Sequence, residues 1–172
     1  MRRLQKTFLR LGLLVGFWLV WINGGNGLVF AQNPDRFQEY QVKAAFLYNF
    51  AKFVEWPKGS FPNSQAPFVL AVIGKDPFGE SLDQLKGKTV GNRELLPKRA
   101  GNVDLLEQVN LLFISESEKD RLKSILRKTE SAQILTVSDL KGFCEAGGHI
   151  AFYLEENKVR FEINPEAAER NG

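Results

Sequence analysis

The amino-acid sequence predicts an α/β fold: a three-layer sandwich around a mixed, mostly parallel sheet that ends in a C-terminal antiparallel hairpin. Three observations predict it. The runs "FVLAVIG", "VNLLFIS" and "QILTVS" are short, continuously apolar and bounded by turn residues, as strands buried on both faces are. A segment of helical periodicity separates the second run from the third, and strand, helix, strand with connections of this length implies a right-handed parallel crossover. The closing stretch "HIAFYLEENKVRFEIN" alternates with period two around a two-residue turn, the pattern of a hairpin.

Taken in order, the chain opens with Arg2, Arg3, Lys6 and Arg10 ahead of an apolar run, Leu11 to Ile22, and then small and polar residues. A charged start, an apolar core and small residues beyond it form a secretory signal, and 12 residues are too few to span roughly 30 Å of hydrocarbon comfortably. Cleavage fits best after Ala31, with Val29 at the −3 position; an uncleaved anchor extended by Gly27 to Phe30 is the competing reading. No cysteine lies near this region to carry a lipid. The expected organisation is a signal peptide at 1–31 and a single α/β domain at 32–172, exported to the periplasm.

The first helix of that domain is expected from about Gln38 or Glu39 to Pro57, which cannot supply the backbone donor. Val42, Ala45, Phe46, Phe50, Phe53 and Val54 recur at helical spacing as one apolar face, and Ala44, Leu47, Tyr48 and Ala51 form a second stripe beside it. A helix apolar this far round is covered on two sides. After a polar loop comes the strand Phe68 to Gly74. Asp76 and Pro77 then read as N-cap and first residue of a short helix reaching Leu85. "KTVGNRELLPKRA" supplies one or two short strands around Gly91-Asn92, with Pro97 placing the second at an edge. The strand Val109 to Ser115 leads into a helix for which Ser115 and Glu118 make a capping box, and Leu122, Ile125 and Leu126 form its inward stripe. Gln133 to Ser138 is the third buried strand. In the hairpin, a turn at Glu156-Asn157 sets Leu154 opposite Val159, Phe152 opposite Phe161 and Ile150 opposite Ile163, the side expected to be core. Ala151, Tyr153, Arg160 and Glu162 take the opposite side, with Asn164 beyond them. Pro165 starts a short terminal helix.

Charge and chemistry narrow the function. The net charge of +3 resides in the leader: without its four bases, the rest carries 19 bases against 20 acids, which gives nucleic acid no basic patch to bind. His149 is the single histidine, so a multi-histidine metal site is excluded. Cys144 is the single cysteine, so no intrachain disulfide forms. It reads as a small buried hydrophobe, and a couple with His149 would need an orienting third group. Gly74-Lys75 follows a strand but lacks the upstream glycine of a phosphate loop. The acids at Glu116, Glu118, Glu155 and Glu156 read as a helix start and a turn. No catalytic residue, cofactor site or metal site is expected, which leaves binding. The first helix reads as a core helix, packed on the sheet by one face and on a neighbouring element by the other, with a subunit or partner contact through its second stripe as the alternative; Lys43 and Lys52 are too few bases for a membrane-surface helix.

The segments "YQVKAAFLYNFAKFVEWP", "VIGKDPFG", "LFIS", "ILTVSDLKGFCEAGGHIAFYLEENKVRFEIN" and "PEAA" are similar to the YfiR/HmsC-like family of exported bacterial proteins, over Glu39 to Ala168 and in family order. The resemblance implies a non-enzymatic periplasmic protein that represses a membrane-bound diguanylate cyclase by binding its periplasmic sensor domain, lowering cyclic di-GMP and biofilm formation. It also implies a homodimer and sequestration by an outer-membrane lipoprotein. The chain departs from the family twice. Some members carry cysteine pairs that make repression redox-sensitive, whereas Cys144 here is alone. Members usually continue past "RFEIN" and "PEAA" with a further apolar segment, whereas this sequence stops at Asn171-Gly172, as a short protein or one whose end is missing. For partner binding the expected residues are Tyr153, Arg160, Glu162 and Asn164 on the outward hairpin face, with Tyr48 and Trp56 from the first helix, because interfaces favour arginine and aromatic anchors. Each has an internal alternative: Arg160 stacked on Tyr153, Glu162 paired with a base, Asn164 capping the terminal helix, Tyr48 and Trp56 in the core. A periplasmic small-ligand module is the rival function, its ligand held at the carboxyl ends of the parallel strands by the loops from Gly74 and Ser115.

Overall fold

A computed structural model describes residues 34–102, 106, 108–130 and 132–172, so the expected signal segment and its cleavage point lie outside the described residues. Among the described residues no helix is long and apolar enough to cross a membrane. Seven strands form one sheet in the order β2-β3-β1-β4-β5-β6-β7: β1 (Phe68–Ile73), β2 (Thr89–Val90), β3 (Arg93–Ala100), β4 (Leu111–Ile114), β5 (Leu135–Ser138), β6 (Ile150–Glu155) and β7 (Lys158–Ile163). The five inner strands run parallel, and β2 and β7 close the two ends antiparallel. Helices α1 (Pro34–Phe53) and α2 (Glu80–Asp83) belong to one layer; α3 (Leu122–Glu130) belongs to the other. The mixed α/β sandwich read from the apolar runs is the fold observed.

The buried strands explain their own sequences. In β1 the side chains of Phe68, Leu70 and Val72 enter the core under α1, while Val69, Ala71 and Ile73 enter the core under α3. Alternation in a strand covered on both sides demands an apolar residue at every position. Pro97 lies on β3 past the two residues that pair with β2, where its missing N–H costs no ladder bond.

Helix α1 begins one turn earlier than expected because Pro34 presets helical φ where an N–H is surplus, and Asp35 suits the positive helix start. It ends at Phe53, short of the expected Pro57. The proline cannot donate to the preceding turn and disfavours helical geometry at Trp56. The Trp56 indole Nε1–H instead reaches back to the Ala51 carbonyl at 3.1 Å. The two apolar stripes also exchange roles. Tyr40, Ala44, Leu47, Phe50 and Ala51 are the buried face, whereas Val42 and Phe53, expected to be covered, are 45% and 79% exposed.

Two further expectations fail for local reasons. The helix expected from Asp76 shrinks to α2, because the Asp76 carboxylate closes a turn on the Phe78 N–H (2.7 Å) and Gly79 sits at φ 53°. The capping box at Ser115 does not form: its hydroxyl donates to the Lys75 carbonyl at 2.7 Å, and a 3-10 turn, Glu116–Arg121, precedes α3. The inward stripe of α3 is as expected, with Ile125 buried and Leu122 and Leu126 packed against the same core.

The hairpin has the expected register, Ile150 to Ile163, Phe152 to Phe161 and Leu154 to Val159, around a turn with positive φ at Glu156 and Asn157. Its supposed core side is only half covered. Ile150 and Phe152 are buried, but Leu154, Phe161 and Ile163 are 53%, 37% and 53% exposed. The covering helix accounts for this. Phe46 and Phe50 of α1 place their rings 5.4 and 5.0 Å from that of Phe161, and this aromatic contact covers the middle of β7 while its C-terminal end and the hairpin tip stay open.

Candidate functional site

The outermost hairpin has two chemically distinct faces. On the polar one, Tyr153 and Arg160 are directly paired and Glu162 is opposite Ala151. All three outward side chains are exposed, and Arg160 Nε lies 3.3 Å from Glu155 Oε2 in an open ion pair of small energetic weight. On the apolar face, Phe161 stands beside the flank of α1 that carries Phe46, with Val42 one turn before it and Phe53 two turns after it, and Leu154 and Ile163 lie exposed on the same face of the hairpin. Large apolar side chains gathered at a sheet edge, next to an arginine and a tyrosine, have the make-up of a protein contact.

The structure brings Tyr153, Arg160 and Glu162 together and gives the other three expected residues internal partners. The Tyr48 hydroxyl donates to the Thr89 carbonyl at 2.9 Å, with the ammonium groups of Lys52 and Lys88 over its ring. Trp56 packs edge-on against Phe68 at 5.0 Å. Asn164 accepts from Ala167 N at 3.0 Å, capping α4 (Pro165–Arg170), and its amide donates to the Cys144 carbonyl at 2.8 Å.

Cys144 and His149 do not form a couple. The imidazole is buried, and its Nδ1 accepts from Thr136 N (2.9 Å), while the Thr136 hydroxyl accepts from His149 N (3.2 Å). Burial pushes its pKa below the ordinary value, and Arg170 adds to the effect. The Cys144 thiol points at the main-chain oxygens of His149 and Glu162. Burial, with Glu162 nearby, raises its pKa to about 11, the opposite of what a nucleophile needs.

Nor do the loops after β1 and β4 open as a ligand crevice. Ser117 Oγ accepts from Lys75 N at 2.8 Å, Ser115 bonds the Lys75 carbonyl, and a side chain at Gly74 (φ 89°) would overlap Ser117 and Glu118. Past the end of β5, Asp139 takes the Lys43 ammonium at 2.7 Å and the Tyr40 hydroxyl at 2.6 Å, and Glu39 also pairs with Lys43. Lys43 is 3% exposed. Burial and Asp139 together push the Tyr40 hydroxyl far above its usual pKa. This cluster fastens α1 to the sheet. Its sequence signals were a lysine within a mostly apolar helix and an aspartate directly after a buried strand.

A cavity of about 520 Å³ opens instead near the amino ends of β5 and β6, between α3 and α4. Thr136 and His149 line it together with Lys123, Arg127, Arg170 and Glu130. The three bases form no ion pair with another described residue. Among the described residues no group of three or more His, Cys, Asp or Glu is placed to hold a metal. A protein-family model described as YfiR/HmsC-like matches residues 40–172, from Tyr40 on α1 through α4. No curated protein matches the chain.

Proposed function

The chain belongs to the YfiR/HmsC-like family, and on that premise we propose that it is an exported, non-enzymatic regulator of cyclic di-GMP signalling. It binds the periplasmic sensor domain of an inner-membrane diguanylate cyclase and holds the enzyme inactive, lowering cyclic di-GMP and biofilm formation. It works as a homodimer, and sequestration by an outer-membrane lipoprotein relieves the repression. The single observation that supports a binding role is the open hairpin, with Tyr153, Arg160 and Glu162 on one face and Leu154, Phe161 and Ile163 on the other. We assign the cyclase contact to the first three. Tyr48, Trp56 and Asn164 serve it by holding α1 and α4 in place.

The test is cellular cyclic di-GMP in a deletion strain with and without complementation by the exported protein. A rise on deletion, reversed by complementation, is expected; an unchanged level across growth conditions refutes repression.

A second reading, sensing of a small ligand, is favoured by the cavity beside Lys123, Arg127 and Arg170. Three cations that pair with no described residue suit a small carboxylate or phosphate there. Such a ligand raises the melting temperature of the protein by mass action, and Arg127→Glu abolishes the rise. A panel of small carboxylates and phosphates that leaves the melting temperature unmoved rejects the reading.

A further inference from the structure

The two ends of the sheet are treated differently. At one end, β2 has two residues, too short to recruit another strand, and the stretch of β3 beyond it turns Pro97, which has no N–H to offer, toward the open side. At the other, β7 is six residues long, without proline or bulge, and its Phe161 and Ile163 are exposed. An edge of this kind is a template for strand pairing.

Hydrogen-bond parity determines which residues face outward. Asn164 N bonds the His149 carbonyl at 2.8 Å, so Asn164, Glu162, Arg160 and Lys158 turn their main-chain groups toward β6. Val159, Phe161 and Ile163 therefore direct N–H and C=O away from the sheet. An antiparallel partner must offer its own outward residues to these three. If the partner is a second β7, three registers satisfy that rule with most of the strand paired, centred on Arg160, Phe161 or Glu162. The first sets two guanidinium groups opposite each other, and the third sets two carboxylates opposite each other; both are repulsive. Centring on Phe161 instead places Arg160 opposite Glu162 of the second copy, twice by symmetry, with Val159 opposite Ile163 and the two Phe161 residues paired on the axis. These Arg160–Glu162 pairs occupy the closely spaced, non-hydrogen-bonded positions, where side chains interact most.

We propose that two copies of this chain join through antiparallel pairing of their β7 strands about a twofold axis at Phe161, making one continuous sheet. The apolar face of the joint gathers Val159, Phe161 and Ile163 of both copies, and both α1 helices lie on that same side. The polar face gathers both sets of Tyr153, Arg160 and Glu162. The inference rests on the homodimer reading and is independent of repression.

Sedimentation of the purified protein tests it. Arg160→Glu or Glu162→Arg alone turns both symmetric pairs repulsive and raises the dimer dissociation constant at least about tenfold, and the double reversal Arg160→Glu/Glu162→Arg restores it. In a Cys144→Ser background, Phe161→Cys crosslinks two copies on oxidation, since a hydrogen-bonded pair on the axis has Cα atoms about 5.5 Å apart, within disulfide reach. Arg160→Cys does not crosslink. A wild-type protein that is monomeric at tens of micromolar overturns this inference together with the homodimer reading. A dimer indifferent to either single reversal, or crosslinked by Arg160→Cys instead, overturns the β7 register alone.

Discussion

Replacing Asp139 with alanine tests whether the polar cluster at the start of α1 holds the helix on the sheet. Lys43 is nearly inaccessible and relies on two carboxylates, Asp139 at 2.7 Å and the partly exposed Glu39 one turn before it. Removing one partner of a buried ion pair costs about 3–5 kcal/mol, because the remaining charge is stranded away from water. Glu39 still pairs with Lys43 in the variant and retains part of that compensation. Against this, the Tyr40 hydroxyl loses the acceptor it holds at 2.6 Å, which adds about 1 kcal/mol. The expected loss is therefore about 3 kcal/mol, and with a urea m value of about 2 kcal/mol/M the unfolding midpoint falls by roughly 1.5 M. Lys43→Met/Asp139→Leu removes both charges and leaves a packed apolar pair, so it unfolds within about 1 kcal/mol of the wild type. Urea titrations followed by tryptophan fluorescence measure both, since Trp56 packs on the core residue Phe68. A single variant within about 1 kcal/mol of wild type, or a double variant no better than the single, would refute the assignment.

Three further outcomes follow from the site. Burial holds the folded pKa of His149 below its ordinary 6.5, so the unfolded chain binds the proton more readily and stability, full above pH 6.5, is lost as pH falls below it, by at most about 1.4 kcal/mol per pH unit; thermal melts should show that slope, and His149→Gln should flatten it. With burial pushing its pKa up to about 11, the half-buried Cys144 thiol should alkylate about tenfold more slowly in the folded protein than in urea at neutral pH, because the smaller thiolate fraction outweighs the greater nucleophilicity of a more basic thiolate, and equal rates would contradict its placement. Arg160→Glu should raise cyclic di-GMP to the level of the deletion while the protein stays folded, and Arg160→Glu/Glu162→Arg should keep it there even where dimerisation has recovered; wild-type levels in that double variant would remove Arg160 and Glu162 from the cyclase contact.

The legible parts of the fold were those that chain-local rules govern. Continuous apolar runs marked β1, β4 and β5 because each is covered on both faces, and period-two alternation around Glu156-Asn157 gave the hairpin its register to the residue. The parts that misled depend on partners distant in sequence. Ser115 and Glu118 have the spacing of a capping box, yet the hydroxyl bonds Lys75, 40 residues away. Asp139 and Lys43, 96 residues apart, are individually unremarkable charges, and only folding shows that one neutralises the other. Tyr153 and Arg160 were legible as neighbours because the hairpin register alone pairs them, whereas the cavity beside Arg127 and Arg170 joins two helices that no local pattern connects.

The unusual breadth of apolar surface on α1 follows from its position between the two ends of the sheet. Tyr48 reaches β2 through the Thr89 carbonyl, and on the opposite flank Phe46 and Phe50 reach the rings of Phe152 and Phe161 on β6 and β7. A helix that packed only downward would need an apolar stripe on one side. This one contacts the sheet below and a strand at either side, which accounts for Tyr40, Ala44, Phe46, Leu47, Tyr48, Phe50 and Ala51 but leaves Val42 and Phe53 with nothing to cover. Both project from the flank that also bears Phe46, beside the open strand β7. If the sheet continues into a second copy there, two such flanks approach each other across the axis, and the residues that the monomer leaves wet acquire a partner. Phe53→Ser should then weaken dimerisation while costing the monomer little, since so exposed a ring contributes little to the core. Urea unfolding and sedimentation of the same variant separate the two effects: a large loss of monomer stability with an unchanged dimer would place Phe53 in the core and out of the interface.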